Sequence, residues 1–267
     1  MPYEDLLLEK EDGIATITLN VPEKLNALTR KMRMNLPLAV DEIAKDDEVR
    51  VVIVTGAGRG FCSGADVAAM RERMSSGGAT EVSRYSRLQV TGWPFADVFP
   101  RLDKPVIAAI NGPCVGAGFS LALSMDIRIA SEAARFGAAQ VARALVPDAG
   151  MTHFLPNAIG TSRALELMFT AEIIDAAEAE HLGIVSRVVP PDELMKVTRE
   201  LATKIAKQAP IPVELTKKMV RRGLLDGLIR QLDLETYAQS ICWQTEDHRE
   251  SVHAFLEKQP QPQFKGK

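Results

Sequence analysis

Apolar and polar residues alternate at the start of the chain and then give way to longer apolar runs. Leu6 to Lys10 and Ile14 to Leu19 flank Asp12-Gly13, a turn dipeptide, so this segment predicts a β-hairpin. Thr29 can cap a helix running to about Lys45, with Leu36, Leu38, Val40 and Ile43 among its apolar positions; Pro37 inside it predicts a kink. Val51 to Thr55, Pro105 to Ile110 and Asp126 to Ala130 are short, mostly apolar runs typical of buried strands in a mixed α/β core. Glycine-rich loops, Gly56 to Gly64 and Asn111 to Gly118, follow the first two, and the second leads into a helix through Ser124. Residues from about Ala79 to Leu102 have helical character interrupted at Gly92 and Pro94, and Met151 to Ala158 and Ser162 to Phe169 are apolar helical stretches. After Pro190-Pro191 the periodicity is helical, with breaks expected at Ala209-Pro210, Gly223 and near Thr245. We therefore divide the chain into an α/β core, 1–195, and a helical region, 196–267, rich in Lys and Arg between Lys196 and Arg230.

Composition narrows the field. The chain has 267 residues, 46% hydrophobic and 25% charged, enough to build a core without disulfides or a structural metal. A net charge of −3 argues against a general nucleic-acid footprint. Cys62, Cys114 and Cys242 are far apart and form no CxxC pair, so neither a zinc site nor a disulfide framework is expected, and a reducing compartment is. Met1-Pro2-Tyr3-Glu4-Asp5 does not begin a secretory signal, and no apolar run reaches the ~18 residues of a membrane span. The expectation is a cytoplasmic protein with no metal, no nucleic acid and no membrane among its partners.

The candidate chemistry sits in the two loops Phe61-Cys62-Ser63-Gly64-Ala65-Asp66-Val67 and Asn111-Gly112-Pro113-Cys114-Val115-Gly116-Ala117-Gly118. Small residues let a ligand approach the backbone, and a helix start leaves N–H groups without intrahelical partners. Two such groups directed at one point make an oxyanion hole; taken alone, either loop reads first as a tight turn in a packed core. Two other enzyme classes fit poorly. Thr55 to Cys62 is similar to a dinucleotide phosphate loop, but the last glycine of that fingerprint falls at Cys62, and no Tyr is followed four residues later by Lys. Gly118-Phe119-Ser120-Leu121-Ala122 faintly resembles a nucleophile elbow, with Asp148 and His153 downstream, but Ser120 lies about ten residues beyond its strand and Ala122 replaces a glycine.

Taken together the motifs resemble the crotonase, or enoyl-CoA hydratase/isomerase, family. The likeness is carried by Pro22-Glu23-Lys24-Leu25-Asn26-Ala27-Leu28, Phe61 to Asp66, Lys104 to Gly112, Gly116-Ala117-Gly118, Asp126, Phe136-Gly137, Gly183-Ile184-Val185 and Val188-Val189, and it covers about Leu6 to Lys258. It implies an α/β spiral of ββα units followed by a C-terminal helical region that serves oligomerisation and pocket closure, in trimers often paired into hexamers. The implied ligand is a coenzyme A thioester, with no cofactor beyond the coenzyme A of the substrate. Its carbonyl would accept hydrogen bonds from the N–H groups of Ala65 and Ala117; adenine and pantetheine would lie along Lys24, Leu25, Ala27 and Ser63; Lys258 would meet a phosphate or stand as a surface lysine. Asp66, followed by Val67, would shape the oxyanion loop without moving protons.

The resemblance also marks departures. Where the best-known hydratases carry two glutamates, this chain has Ser120 and Gln140, neither of which exchanges protons as a carboxylate does. Leu145-Val146-Pro147-Asp148-Ala149-Gly150 instead resembles members whose acid/base is this aspartate, among them dienoyl-CoA isomerases and isomerases of epoxidised phenylacetyl-CoA. Asp148 would then be catalytic with Ala65 and Ala117; the alternative is that it caps the helix that follows. Met70, Met74, Trp93, Phe95 and Phe99 are candidates for an acyl pocket or for plain core. The preferred reading is an isomerase; the rivals are a hydratase with a modified water site and a non-catalytic acyl-CoA-binding protein.

Overall fold

The computed structural model of the protein describes residues 3–66 and 95–265. Strands β1 (Leu6–Glu11) and β2 (Ile14–Leu19) form the expected hairpin, with Asp12 and Gly13 both at positive φ in the turn. From β2 the sheet continues in parallel through β3 (Val51–Gly56), β4 (Val106–Ile110), β6 (Ile127–Ser131) and β9 (Arg187–Val189), in the order β1-β2-β3-β4-β6-β9. A second, three-stranded sheet joins β5 (Pro113–Val115), β7 (Arg135–Gly137) and β8 (Ile173–Asp175). The loop expected from Asn111 to Gly118 thus contains a strand.

Alternation along the central strands builds two apolar layers. Val52, Val54, Val106 and Ala108 face the larger core with α1 (Arg30–Ala44), α3 (Ala117–Ser124) and α4 (Met151–Ile159). Val51, Ile53, Ile107 and Ile129 face Leu194 and Ala202 of α7 (Leu194–Ala206). Thr29 caps α1 by accepting from the Met32 N–H, and the helix runs on through Pro37. Helices α2 (Val98–Arg101), α5 (Thr161–Thr170) and α6 (Ala176–His181) complete the core.

The tail holds a difference from expectation. Helix α8 (Pro210–Cys242) is continuous for 33 residues and passes through Gly223, where a break was expected; α9 (Glu246–Leu256) follows. One interior glycine costs a helix about 1 kcal/mol. Tertiary bonds on both sides of it offset that cost. Lys217 and Arg221 bind Asp126 at 2.8 and 2.9 Å, and Lys217 Nζ also donates to the Phe99 and Lys104 carbonyls. Farther along, Glu235 and Gln239 bind the loop before α4. Among the described residues, no helix is long and apolar enough to cross a membrane. Most of the helical stretch expected from Ala79 to Leu102 lies outside the described residues.

Candidate active site

The two glycine-rich loops are locked to each other by backbone. Cys62 and Cys114 form a parallel bridge, with Val115 N–H donating to the Cys62 carbonyl and Cys62 N–H to that of Pro113, each at 3.0 Å. Asn26, fully buried, holds the first loop open: its Nδ2 donates to the Ala57 and Gly60 carbonyls while its Oδ1 accepts from the Val21 N–H. Asn111 reaches across from β4 to the Gly56 and Gly58 carbonyls, both at 2.9 Å. Gly64 has φ +97°, and a Cβ there would stand 2.8 Å from the Val115 carbonyl oxygen. Only glycine lets the loops pass this closely. Burial pushes the Cys62 thiol up to about 12, so it is not a nucleophile near neutral pH.

Ala65 follows Gly64, and Ala117 is the first residue of α3 after Gly116. Among the described residues neither the Ala65 nor the Ala117 N–H donates a backbone hydrogen bond. Both residues line one cavity of about 290 Å³. Two unengaged donors at a shared cavity, one of them at a helix N-terminus, can stabilise a developing oxyanion.

Gln140 and Asp148 line the same cavity. The Asp148 carboxylate is 4% exposed and accepts from Gln140 Nε2 at 3.3 Å and from Gln239 Nε2 at 2.6 Å. It is the one carboxylate in the cavity wall among the described residues. Gln140 Oε1 is buried with no hydrogen-bond partner. Ser120 is fully buried outside the wall, and its Oγ donates to the Asp148 carbonyl at 2.8 Å. The sequence-level alternative, that Asp148 caps the next helix, gives way to another residue. The N-cap of α4 is Gly150, whose own N–H and that of Thr152 donate to the Glu235 carboxylate of α8, at 2.8 and 3.1 Å. Burial, with a smaller contribution from the Asp148 charge, pushes the Glu235 carboxyl up to about 7; its bonds to Thr152 and Gly150 pull the other way.

Of the other expected ligand contacts, Leu25 and Ser63 lie in the cavity wall. Lys24, Ala27 and Asp66 do not. Lys24 Nζ pairs with Asp66 at 2.9 Å, tying the residue after Ala65 to the 3-10 turn Pro22–Lys24, and the Ser63 Oγ donates to the Lys24 carbonyl. The hydrogen bond to Asp66 raises the Lys24 pKa. Ala27 is buried behind the loop. Lys258 is exposed at φ 55°, three residues beyond the wall residue Phe255. Val67, Met70, Met74 and Trp93 lie outside the described residues. Phe95 and Phe99 are fully buried in the larger core and take no part in the wall.

Sequence reasoning missed Arg143, Leu145, Val252 and Phe255 in the wall, and Glu235 and Gln239 behind it. The Arg143 guanidinium stacks 4.0 Å above the Phe255 ring, and burial lowers its pKa. The apolar spacing of Val252 and Phe255 on α9 could have marked a shared face, of which Val252 is buried and Phe255 exposed, but not the cavity that face borders. A wider cleft of about 730 Å³ runs along Asp126, Arg128, His153, Lys217 and Arg221. It contains neither glycine loop, and its charges are engaged in structure: Lys217 and Arg221 on Asp126, Arg128 on the Met125 and Ile184 carbonyls.

A sequence model of the enoyl-CoA hydratase/isomerase family matches residues 9–267. The chain is 38% identical over 268 residues to a short-chain-enoyl-CoA hydratase of Clostridium acetobutylicum, all of both chains being covered. It is 36% identical to the 1,2-epoxyphenylacetyl-CoA isomerase of Escherichia coli, over 99% of each. The crystal structure of an enoyl-CoA hydratase from Mycobacterium avium subsp. paratuberculosis superposes with a TM-score of 0.86 at 30% identity, over 99% of this chain and 100% of that one.

Proposed function

The chain belongs to the enoyl-CoA hydratase/isomerase family, and on that premise we propose that it isomerises an unsaturated acyl-CoA. The observation that carries the choice of isomerase is that Asp148 is the single carboxylate, among the described residues, in the wall shared with Ala65 and Ala117. Asp148 takes a proton from one carbon of the acyl chain. The thioester oxygen gains negative charge as the enolate forms, and the two N–H groups hold it more tightly than they hold the starting carbonyl. The protonated Asp148, after exchange with solvent, delivers a proton to a different carbon, which moves the double bond and regenerates the carboxylate. One acid/base is sufficient for this cycle, and no cofactor beyond the coenzyme A of the substrate enters it. Leu25 and Ser63 meet the pantetheine side, and Lys258 meets a phosphate at the mouth.

A second reading, hydration, is favoured by Gln140 Oε1, a buried acceptor without a donor that would hold a water beside Asp148. The curated hydratase relative agrees with it. Assembly into trimers or hexamers is part of the proposal. Ile211, Leu215 and Met219, and then Leu234, Tyr237 and Ile241, stand exposed at helical spacing along α8 and supply an apolar face for a second copy. A cytoplasmic location is also proposed, consistent with three free cysteines.

The test is a mass-spectrometric screen of acyl-CoA thioesters in deuterium oxide. Isomerisation appears as solvent deuterium in a product of otherwise unchanged mass, hydration as the added mass of one water. Turnover by hydration alone replaces the first reading with the second. Tight thioester binding with neither change overturns both and leaves a binding protein.

A further inference from the structure

Helix α8 carries Gln231, Glu235 and Gln239 at intervals of four, which puts all three on one face. Each grips the segment that carries Asp148 or its continuation. Gln231 Nε2 donates to Thr152 Oγ1 at 2.7 Å. The Glu235 carboxylate accepts from the Gly150 N–H, the Thr152 N–H and Thr152 Oγ1. Gln239 accepts from the Val146 N–H at 3.2 Å and donates to Asp148 Oδ2 at 2.6 Å. Glu235 and Gln239 are 3% and 5% exposed. A helix start is ordinarily satisfied by a side chain at its own N-cap. Here Gly150 stands at φ +84°, and a Cβ would lie 2.6 Å from the Phe154 ring, so no capping side chain fits. A carboxylate from a distant helix takes that duty, at the cost of burying it.

We propose that Gln239 and Glu235 are positioning residues for Asp148, so that α8 sets the direction in which the carboxylate faces the cavity. Gln239 acts on Oδ2 directly. Glu235 acts by fixing the backbone two and four residues further on. The proposal rests on the reading of Asp148 as the acid/base.

The test is Gln239→Met, close in shape and without the amide donor, in the full-length protein. The readouts are kcat and KM on the best substrate from the acyl-CoA screen, and the pH dependence of kcat/KM. The expected result is kcat lower by about ten- to a hundredfold, the scale of a misdirected reacting group, with KM within about threefold. The acidic limb of kcat/KM moves to higher pH, because the lost N–H favoured the charged carboxylate. In an Asp148→Asn background, Gln239→Met lowers the residual rate no further. Unchanged kcat and an unmoved acidic limb, with Asp148→Asn inactive, overturn the positioning role alone. Full activity of Asp148→Asn overturns the acid/base reading beneath it. Should Gln239→Met not fold, Glu235→Gln carries the same measurements, and an unchanged kcat and acidic limb in that variant overturn the proposal equally.

Discussion

Replacing Asp148 with Asn exchanges one carboxylate oxygen for an NH₂ at a site where two amide donors converge, Gln140 Nε2 on Oδ1 and Gln239 Nε2 on Oδ2. One donor would then face another. Gln140 can resolve the conflict by turning its amide over, which presents to the new NH₂ the Oε1 that is now buried without a partner. The two described hydrogen bonds are kept, so the expected change in stability is within about 1 kcal/mol, a shift of about 4 °C or less in the thermal midpoint. No helix cap is lost, because the α4 donors are on Glu235. Proton transfer by a side chain contributes at least ~10² in rate, equivalent to about 3 kcal/mol of transition-state stabilisation. The assay is deuterium exchange from solvent into the α or γ carbon of a bound enoyl-CoA, wild type against variant, with thioester affinity measured alongside. Equal exchange rates in two folded proteins would remove Asp148 from the chemistry. A large loss of stability would refute the amide-turning argument.

Two other perturbations check neighbouring parts of the site. Ala117→Pro removes one N–H at the first position of α3, where proline is tolerated by the helix, so turnover should fall by about 10²–10³ with little change in circular dichroism; Ala117→Gly, which keeps the donor, should stay within about tenfold, and comparable turnover by the proline variant would dismiss this loop as an oxyanion hole. The Glu235 carboxyl is raised from 4.5 to about 7, so the folded state binds the extra proton between those values and this group's contribution to stability falls as pH rises through that window. Glu235→Gln should lack the slope and gain on wild type by up to about 3 kcal/mol between pH 4.5 and 7 in denaturant titrations; parallel stability curves would contradict the burial argument.

The parts of the fold that local chemistry dictates were legible in the sequence. The Asp12-Gly13 hairpin, the Thr29 cap and the apolar strands β3 and β4 each rest on a few adjacent residues. Strands β5, β7 and β8 have three residues each and exist because they pair with one another, a long-range fact without a local signature. Gly223 misled for the converse reason: the bonds that carry α8 past it are made to Asp126 and to residues 146–152. At the site, both glycine loops and Asp148 could be singled out. Ser120 could not be assigned its bond to the Asp148 carbonyl, because the direction of a helical serine depends on what packs against that face. Glu235 and Gln239 read locally as polar positions of a solvated helix, and only the fold buries them.

The span of α8 has a bearing on how the protein comes to be active. From Lys217 to Gln239 the helix extends about 33 Å at 1.5 Å per residue, fastened to Asp126 at one end and to Asp148 at the other. The contact that holds Asp148 joins residues 91 apart in the chain. During synthesis, the residues of the sheet and of both glycine loops are made before Gln239, so the loops precede the contact that holds Asp148. In the mature protein a local opening of α8 would release Asp148 while leaving the sheet's own pairings in place, so turnover is expected to fall at lower denaturant than the far-UV circular dichroism of the whole fold.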